Sequence, residues 1–170
     1  SLTVSKAAVP VSGTYVQGQK NVPVLGIHMT AGTATDITVD QLSVRFYADA
    51  LGGLDFSATG DTAADSVVAS AWLYSGADIV AGPMPLNLFD TGAFGFVSDS
   101  GDFFRATFKD LQFKVAKGSS HVLTVKVNLL DTLQNERFLA ADVIPSEDVV
   151  ALTSPSMGVV PYGTPLNQGS

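Results

Sequence analysis

The sequence predicts an all-β protein, an antiparallel sandwich of two sheets with long loops and little or no helix. Apolar side chains recur at every second position along most of the chain, as in half-buried strands. Turn-forming residues separate these runs, with 16 Gly and 8 Pro among 170 residues. The acidic residues comprise fourteen Asp and only two Glu. Because Asp favours turns over helices and strands, this bias also indicates strands joined by loops.

Length and composition favour a single globular domain. A chain of 170 residues can bury one substantial core. It is 46% hydrophobic and only 15% charged, which is typical of globular rather than disordered proteins. We therefore predict that residues 1–170 form one β-sandwich domain. The Pro/Gly-rich range 155–170 is predicted to be a terminal segment or a linker between modules.

The charge balance excludes several classes of partner. Nine Lys and Arg oppose 16 Asp and Glu, which gives a formal net charge of −7. No basic cluster offsets this charge, so the sequence predicts no nucleic-acid partner. Anionic membrane surfaces are disfavoured too, and no apolar run reaches the roughly 20 residues of a membrane span. The absence of Cys excludes disulfides, zinc-thiolate sites and thiol catalysis.

The first half of the chain contains two long alternating runs. In the first run Leu25, Ile27 and Met29 share one face, and His28 lies on the other. The second run begins with Ile37 and Val39 pointing inward, and it continues with Leu42, Val44 and Phe46. Since the parity slips between Val39 and Leu42, we predict a bulge near Asp40 and Gln41.

Four further runs follow in the second half. Their predicted inward positions are Val67, Ala69, Ala71 and Leu73; Phe104, Ala106 and Phe108; Leu111, Phe113 and Val115; and Leu123, Val125, Val127 and Leu129. The ranges 75–78 and 117–120 both contain Gly between apolar runs, so each is predicted to be a hairpin turn. The range 131–141 is the helix candidate, although 137–143 is equally compatible with a strand. Ranges 48–66 and 83–102 are predicted to be irregular.

Several of these runs carry a recognisable pattern. It comprises the sequence VPVLGI at 22–27, WLY at 72–74 before a Gly-containing turn, and VAKGS at 115–119 followed by LTV at 123–125. The chain resembles immunoglobulin-like β-sandwich modules that occur in tandem within large prokaryotic cell-surface proteins of the S-layer or adhesin type. The resemblance implies a non-enzymatic, extracellular structural or adhesive module. Its partners would be neighbouring modules or other surface proteins.

The residues that catalysis would need do not form a recognisable motif. His28 is predicted on an outward strand face and His121 beside a turn, and two solvated histidines explain both. No nucleophile elbow and no His-Glu-x-x-His motif is present. Both Glu residues, Glu136 and Glu147, lie in polar surroundings, whereas acid–base work requires a buried carboxyl group. The sequence therefore predicts that the protein is not an enzyme.

Two Asp-rich loops are candidate calcium sites. Calcium binds six to eight oxygen ligands, which closely spaced Asp and Ser side chains can supply. One loop contains Asp99 and Asp102, with Asp90 upstream, and we prefer it because two Asp and two Ser surround one Gly. The weaker candidate contains Asp55, Asp61 and Asp65. Neither loop matches the EF-hand spacing, and a solvated acidic loop explains the same residues.

Trp72 and Tyr74 are candidate ligand-binding residues. If Leu73 points inward, both aromatic side chains emerge on the opposite face. Strand geometry separates positions i and i+2 by about 7 Å, a spacing that suits stacking on sugar rings. The sequence therefore allows a carbohydrate-binding module as the alternative function. The long loops or a neighbouring module could instead cover this face.

Overall fold

A computed structural model describes most of the chain. The described residues are 1–49, 61–62, 64–89, 93–94, 97–98, 103–132, 138–153, 157–161, 163 and 168–169. The strands within them are β1 Leu2–Lys6, β2 Val22–Ala31, β3 Ile37–Asp49, β4 Asp61–Thr62, β5 Val68–Ser75, β6 Asp78–Met84, β7 Asn87–Phe89, β8 Ala93–Phe94, β9 Val97–Ser98, β10 Phe103–Phe108, β11 Phe113–Val115, β12 Ser120–Leu129, β13 Phe138–Asp142, β14 Val149–Thr153, β15 Met157–Val159 and β16 Gln168–Gly169.

These strands form two main sheets, and every recorded pairing between them is antiparallel. The five-stranded sheet has the order β1-β2-β12-β5-β6. In the nine-stranded sheet the main path is β15-β14-β3-β10-β7, and β4, β11 and β13 also pair with β3. A small ribbon is formed by β8 and β9. The predicted all-β, two-sheet antiparallel architecture is confirmed, whereas the immunoglobulin-like relationship stays a prediction.

The core lies between the two sheets and contains most of the predicted inward positions. Leu25, Ile27 and Met29 are fully buried, as are the predicted inward residues of β3. One prediction fails at the start of β5, where Val68 is buried and Ala69 is exposed. The pairing register of β5 with β12 shifts between Asn128 and Leu129, and this irregularity accounts for the change of parity.

The central strand of the nine-stranded sheet is β3. Its register with β14 passes from Gln41 directly to Val39, so Asp40 is the extra residue of a bulge. The bulge predicted near Asp40 and Gln41 is thus confirmed. On one edge, β3 pairs with β10 and β11. Along the other edge, β13 and then β14 continue the pairing.

A one-turn helix, α1 Pro145–Asp148, interrupts the strand pair on that second edge. Asp142, the last residue of β13, lies opposite Arg45, and pairing resumes at Val149 opposite Leu42. The intervening residues therefore leave the sheet and return to it. Of the two alternatives for this region, the strand over 137–143 agrees with β13, while the short helix after it was not predicted.

The two predicted hairpins differ in outcome. Ser75 pairs with Asp78, so the turn between β5 and β6 is a hairpin as predicted. The hairpin predicted at 117–120 is wrong. There β11 pairs with β3 in the nine-stranded sheet, whereas β12 pairs with β2 and β5 in the other sheet. The Lys117–Ser120 turn therefore carries the chain across the sandwich.

Two irregular segments lie against the five-stranded sheet. After β1, the chain turns so that Ala7 and Val9 contact the outward side of Gly26 on β2. Near the other end of the chain, Gly163 lies against the carbonyl oxygen of Val4 on the edge strand β1. Gln168 pairs with Ala141 of the nine-stranded sheet. The role of 155–170 as a linker stays a prediction.

Within the described residues, no helix has both the length and the apolar character needed to span a membrane.

Candidate functional site

Trp72 and Tyr74 lie on the outer face of the five-stranded sheet. Leu73 between them is fully buried in the core, and both aromatic side chains are half-buried on the opposite side. The neighbouring strand β12 places Lys126 opposite Trp72 and Thr124 opposite Tyr74. We call the surface formed by Asn21, Trp72, Tyr74, Ile79 and Lys126 the aromatic face. It is the candidate functional site.

Polar contacts fix the Tyr74 side chain across the sheet. Its hydroxyl donates a hydrogen bond to Asn21 Oδ1 at 3.2 Å. Because Asn21 directly precedes β2, and β12 lies between β2 and β5, the Tyr74 side chain reaches across β12. The Lys126 ammonium lies 4.2 Å from the centroid of the Tyr74 ring, within the range of a cation–π interaction.

Trp72 is held from the side of the edge strand β6. A Cβ atom at Gly82 would lie 3.1 Å from Trp72 Cε3 and 2.9 Å from the carbonyl oxygen of Ala71. Gly82 also has a φ of +117°, which disfavours other residues. The lack of a side chain at this position therefore lets β6 approach the indole. Trp72 Nε1 is buried, and none of the described residues accepts a hydrogen bond from it.

Exposed aliphatic side chains lie within the aromatic face and beside it. Ile79 lies opposite Tyr74 on β6 and is 56% exposed. Val122, on the same outward face of β12, is 38% exposed. The face therefore combines half-buried rings with exposed aliphatic groups and one cation, and this mixture suits contact with an amphipathic partner.

The outer face of the nine-stranded sheet has a different character, because it contains a buried ion-pair cluster. Arg45, in the middle of β3, is only 1% exposed. Its Nε and Nη2 atoms donate to the two carboxylate oxygens of Asp148 at 2.8 and 3.1 Å, and Nη2 also donates to Glu147 at 2.7 Å. Asp142 lies opposite Arg45 on β13 and is fully buried.

Burial governs the protonation of this cluster. Burial raises the pKa of Asp148 by more than the hydrogen bonds from Arg45 and Ile144 lower it. For Arg45, burial disfavours the charged form, but the hydrogen bonds and charges of Asp148 and Glu147 together raise its pKa. Arg45 therefore stays protonated and holds α1 against β3. This arrangement is best explained as a structural clamp.

The remaining predicted site residues are dispersed. His28 is half-buried on the outward side of β2, and His121 is exposed with its ring edge-on to Phe113 at 5.6 Å. Asp65 is exposed in a 3-10 turn at Ala64–Ser66, and Asp61 belongs to β4. Asp55, Asp90, Asp99 and Asp102 lie outside the described residues. Within the described part of the chain, no three His, Asp or Glu residues gather as a metal site would require.

Glu147 lies in polar surroundings as predicted, with its side chain 60% exposed, and its carboxylate also pairs with Arg45 at 2.7 Å. Glu136 lies outside the residues that the structure describes. Sequence reasoning missed Arg45, Asp142 and Asp148. The available signal was a charged residue, Arg45, at the centre of a strand whose flanking positions are apolar or aromatic.

No family model matches the chain, and no curated protein matches it. Several solved structures are similar in fold. AvmM, which catalyses macrocyclization in alchivemycin A biosynthesis, is 9% identical with a TM-score of 0.44, covering 99% of this chain and 86% of AvmM. A cohesin of Acetivibrio cellulolyticus scaffoldin B, in complex with a Cel5 dockerin, is 9% identical with a TM-score of 0.37. The match covers 98% of this chain and 94% of the cohesin chain. The OlpA cohesin of Clostridium thermocellum is 7% identical with a TM-score of 0.41. This match covers 98% of this chain and 96% of the cohesin chain. Similarity at this level assigns neither a family nor a function.

Proposed function

We propose that this chain is a non-enzymatic, extracellular module of a cell-surface protein, with a structural or adhesive role. Its mechanism is spatial: a stiff β-sandwich holds one binding surface in place for a neighbouring module or surface protein. The observation that carries the proposal is the contrast between the two outer faces. The outer face of the nine-stranded sheet contains the buried Arg45 cluster. The outer face of the five-stranded sheet presents the half-exposed side chains of Trp72 and Tyr74. The proposal requires that antibodies against this chain label intact cells; labelling only after permeabilisation would contradict it.

Carbohydrate is the alternative ligand class, and the aromatic face favours it specifically. Trp72 and Tyr74 occupy positions i and i+2 of one strand, on the same side of the sheet. Residues so placed lie about 7 Å apart along the strand, so their rings can contact successive parts of a sugar chain. Each aromatic contact buries apolar ring surface while the sugar hydroxyls remain available to polar groups.

A glycan array tests the carbohydrate alternative. We expect the wild-type protein to give signals that fall at least about tenfold in Trp72→Ala and in Tyr74→Ala, because each change removes a large contact surface. Phe113→Ala is the matched control, since Phe113 is also half-buried but belongs to the nine-stranded sheet. If the wild type binds no glycan, or if Phe113→Ala loses binding equally, the carbohydrate alternative is refuted.

Calcium binding by Asp90, Asp99 and Asp102, or more weakly by Asp55, Asp61 and Asp65, stays a prediction. A cation bound only by the folded protein must raise the melting temperature by mass action. We expect the midpoint to rise when millimolar calcium replaces chelator, and Asp99→Asn/Asp102→Asn to abolish the rise. Magnesium at the same ionic strength is the control. An equal midpoint with calcium and with chelator would rule out a stabilising site.

A further inference from the structure

We propose that the aromatic face selects saccharides bearing carboxylate groups over neutral saccharides, and that Lys126 is the residue that reads the charge. This inference rests on the carbohydrate alternative proposed above. It concerns the chemistry of the ligand, and three independent features of the structure support it: the distribution of charge, the position of Lys126, and the hydrogen-bonding capacity that the site leaves unused.

Charge is distributed unevenly between the two sheets. The whole chain carries a formal net charge of −7. The strands of the five-stranded sheet nevertheless contain only three charged residues, Lys6, Asp78 and Lys126. Asp78 lies at the β5–β6 turn, and the other four strands contain no carboxylate. An anionic ligand therefore meets much less repulsion on this sheet than the net charge of the protein suggests.

Lys126 is the cation at the centre of the aromatic face. It lies opposite Trp72 and has its ammonium over the Tyr74 ring. Among the described residues, no carboxylate lies within 4.0 Å of Lys126 Nζ, in contrast to Lys114, which pairs with Asp36 at 2.9 Å. The ammonium is thus held by an aromatic ring and keeps its capacity to pair with an external anion.

The two Asn residues beside Lys126 leave mainly donors for a ligand. Asn21 Oδ1 accepts the hydrogen bond from Tyr74, and Asn128 Oδ1 accepts one from the backbone N–H of Asn21 at 3.0 Å. Their carboxamide oxygens are therefore engaged within the protein, while neither amino group donates a hydrogen bond to another described residue. Two amino groups and one ammonium suit a ligand rich in acceptors, which describes a carboxylate better than a hydroxyl.

The Trp72 and Tyr74 rings favour an acidic sugar over other anionic ligands. An acidic peptide would satisfy Lys126, but its flexible backbone offers no flat apolar face for Trp72 and Tyr74. A uronic acid has a pyranose ring, whose C–H groups can stack on an aromatic ring. Its carboxylate is bonded directly to a carbon of that pyranose ring. Stacking and charge pairing can therefore occur in the same residue of the ligand.

The test compares ligands that differ only in charge. Polygalacturonate and its fully methyl-esterified form share one backbone, and the ester removes the negative charge. We expect isothermal titration at low salt to show binding to polygalacturonate that is at least about tenfold tighter than to the ester. Added salt should weaken the acidic interaction selectively, because the ammonium is partly exposed.

Lys126→Gln supplies the residue-level test. The substitution should lower affinity for polygalacturonate about tenfold and leave affinity for the ester within about twofold. Lys109→Gln is the matched control, since it makes the same change in net charge at an exposed position after β10. Its affinity should equal that of the wild type. The melting temperature of each variant confirms that the fold is retained.

The outcomes separate this inference from the function on which it rests. Equal binding of the acid and the ester, abolished by Trp72→Ala, would overturn the charge selection and leave the carbohydrate function intact. Binding of poly-glutamate as tight as that of polygalacturonate, with the same dependence on Lys126, would overturn the saccharide as ligand. If neither the two polymers nor any glycan on the array binds, both the inference and the carbohydrate function fail.

Discussion

Replacing Arg45 with Met is expected to lower the free energy of unfolding by about 3–5 kcal/mol. Met occupies a similar volume but leaves Asp148, which is only 2% exposed, buried without the two hydrogen bonds from the guanidinium. Isolated buried carboxylates lose their hydration without compensation, which makes breaking such a pair far more costly than losing a surface pair. Urea denaturation at neutral pH followed by fluorescence measures the change.

Two further variants give the Arg45 experiment its controls. Lys114→Ala removes an exposed ion pair with Asp36, joined at 2.9 Å, and should change the free energy of unfolding very little, because exposed pairs are screened by solvent. The double variant Arg45→Met/Asp148→Leu removes both partners of the buried pair and should recover part of the lost stability. A loss for Arg45→Met no larger than that for Lys114→Ala would show that the cluster does not clamp α1 to the sheet.

The pH dependence of the same variant has a definite sign. Burial already raises the pKa of Asp148 above its usual value in the folded protein, so its contribution to stability is lost as the pH rises through that raised pKa. Removing Arg45 removes a hydrogen bond and a charge that lower this pKa, so it rises further. The stability difference between wild type and Arg45→Met should therefore shrink as the pH falls from 7 towards 4.

Gly26→Ala is expected to destabilise the protein by about 3 kcal/mol through overpacking. A Cβ atom at this position would overlap the carbonyl oxygen of Val9 and lie 2.8 Å from Ala7 Cβ. One of the two contacts is with a backbone atom of Val9. This atom cannot move aside unless the whole segment around Ala7 and Val9 shifts. The segment around Ala7 and Val9 should consequently detach from β2, and limited proteolysis would detect new cleavage there.

Gly158→Ala is the matched control for this substitution. Gly158 also lies in a strand, β15, but a Cβ atom there would meet no atom of the described residues within 4 Å. Since Ala reduces the conformational entropy of the unfolded chain, this variant should be neutral or slightly stabilising. Equal losses for Gly26→Ala and Gly158→Ala would mean that the close approach of Val9 contributes nothing.

The sequence was sufficient for the architecture because alternation reports burial directly. It assigned Leu73 to the core and therefore Trp72 and Tyr74 to the outer face, and it located the bulge at Asp40 from a slip in parity. Alternation does not report which strands pair. The segments on either side of Lys117 both alternate, as in a hairpin, yet they join different sheets.

On the outer faces of both sheets, the contacts that could not be predicted join residues that are far apart in the sequence. Arg45 meets Asp148 across 103 positions of the sequence, so only the completed sheet brings the two together. Without that partner, Arg45 fits an ordinary solvent-facing position between apolar neighbours. Similarly, Lys126 reaches Tyr74 through the pairing of β12 with β5. The aromatic pair could be predicted because its members are local, whereas its cation could not.

The central position of β3 has a consequence for how the protein folds. This strand comes early in the chain, but β10, β11, β13 and β14, which line its two edges, all come later, and β14 ends at Thr153. During synthesis only the short strand β4 can pair with β3 early, at Ala48 and Asp49, so most of both edges stays unpaired until most of the chain has left the ribosome. Pairings so distant in sequence close slowly, since large loops must be ordered before any contact forms. While the edges of β3 are unpaired, they can pair with another copy of the chain, and this association competes with folding. The bulge at Asp40 interrupts the regular edge of β3 during that time.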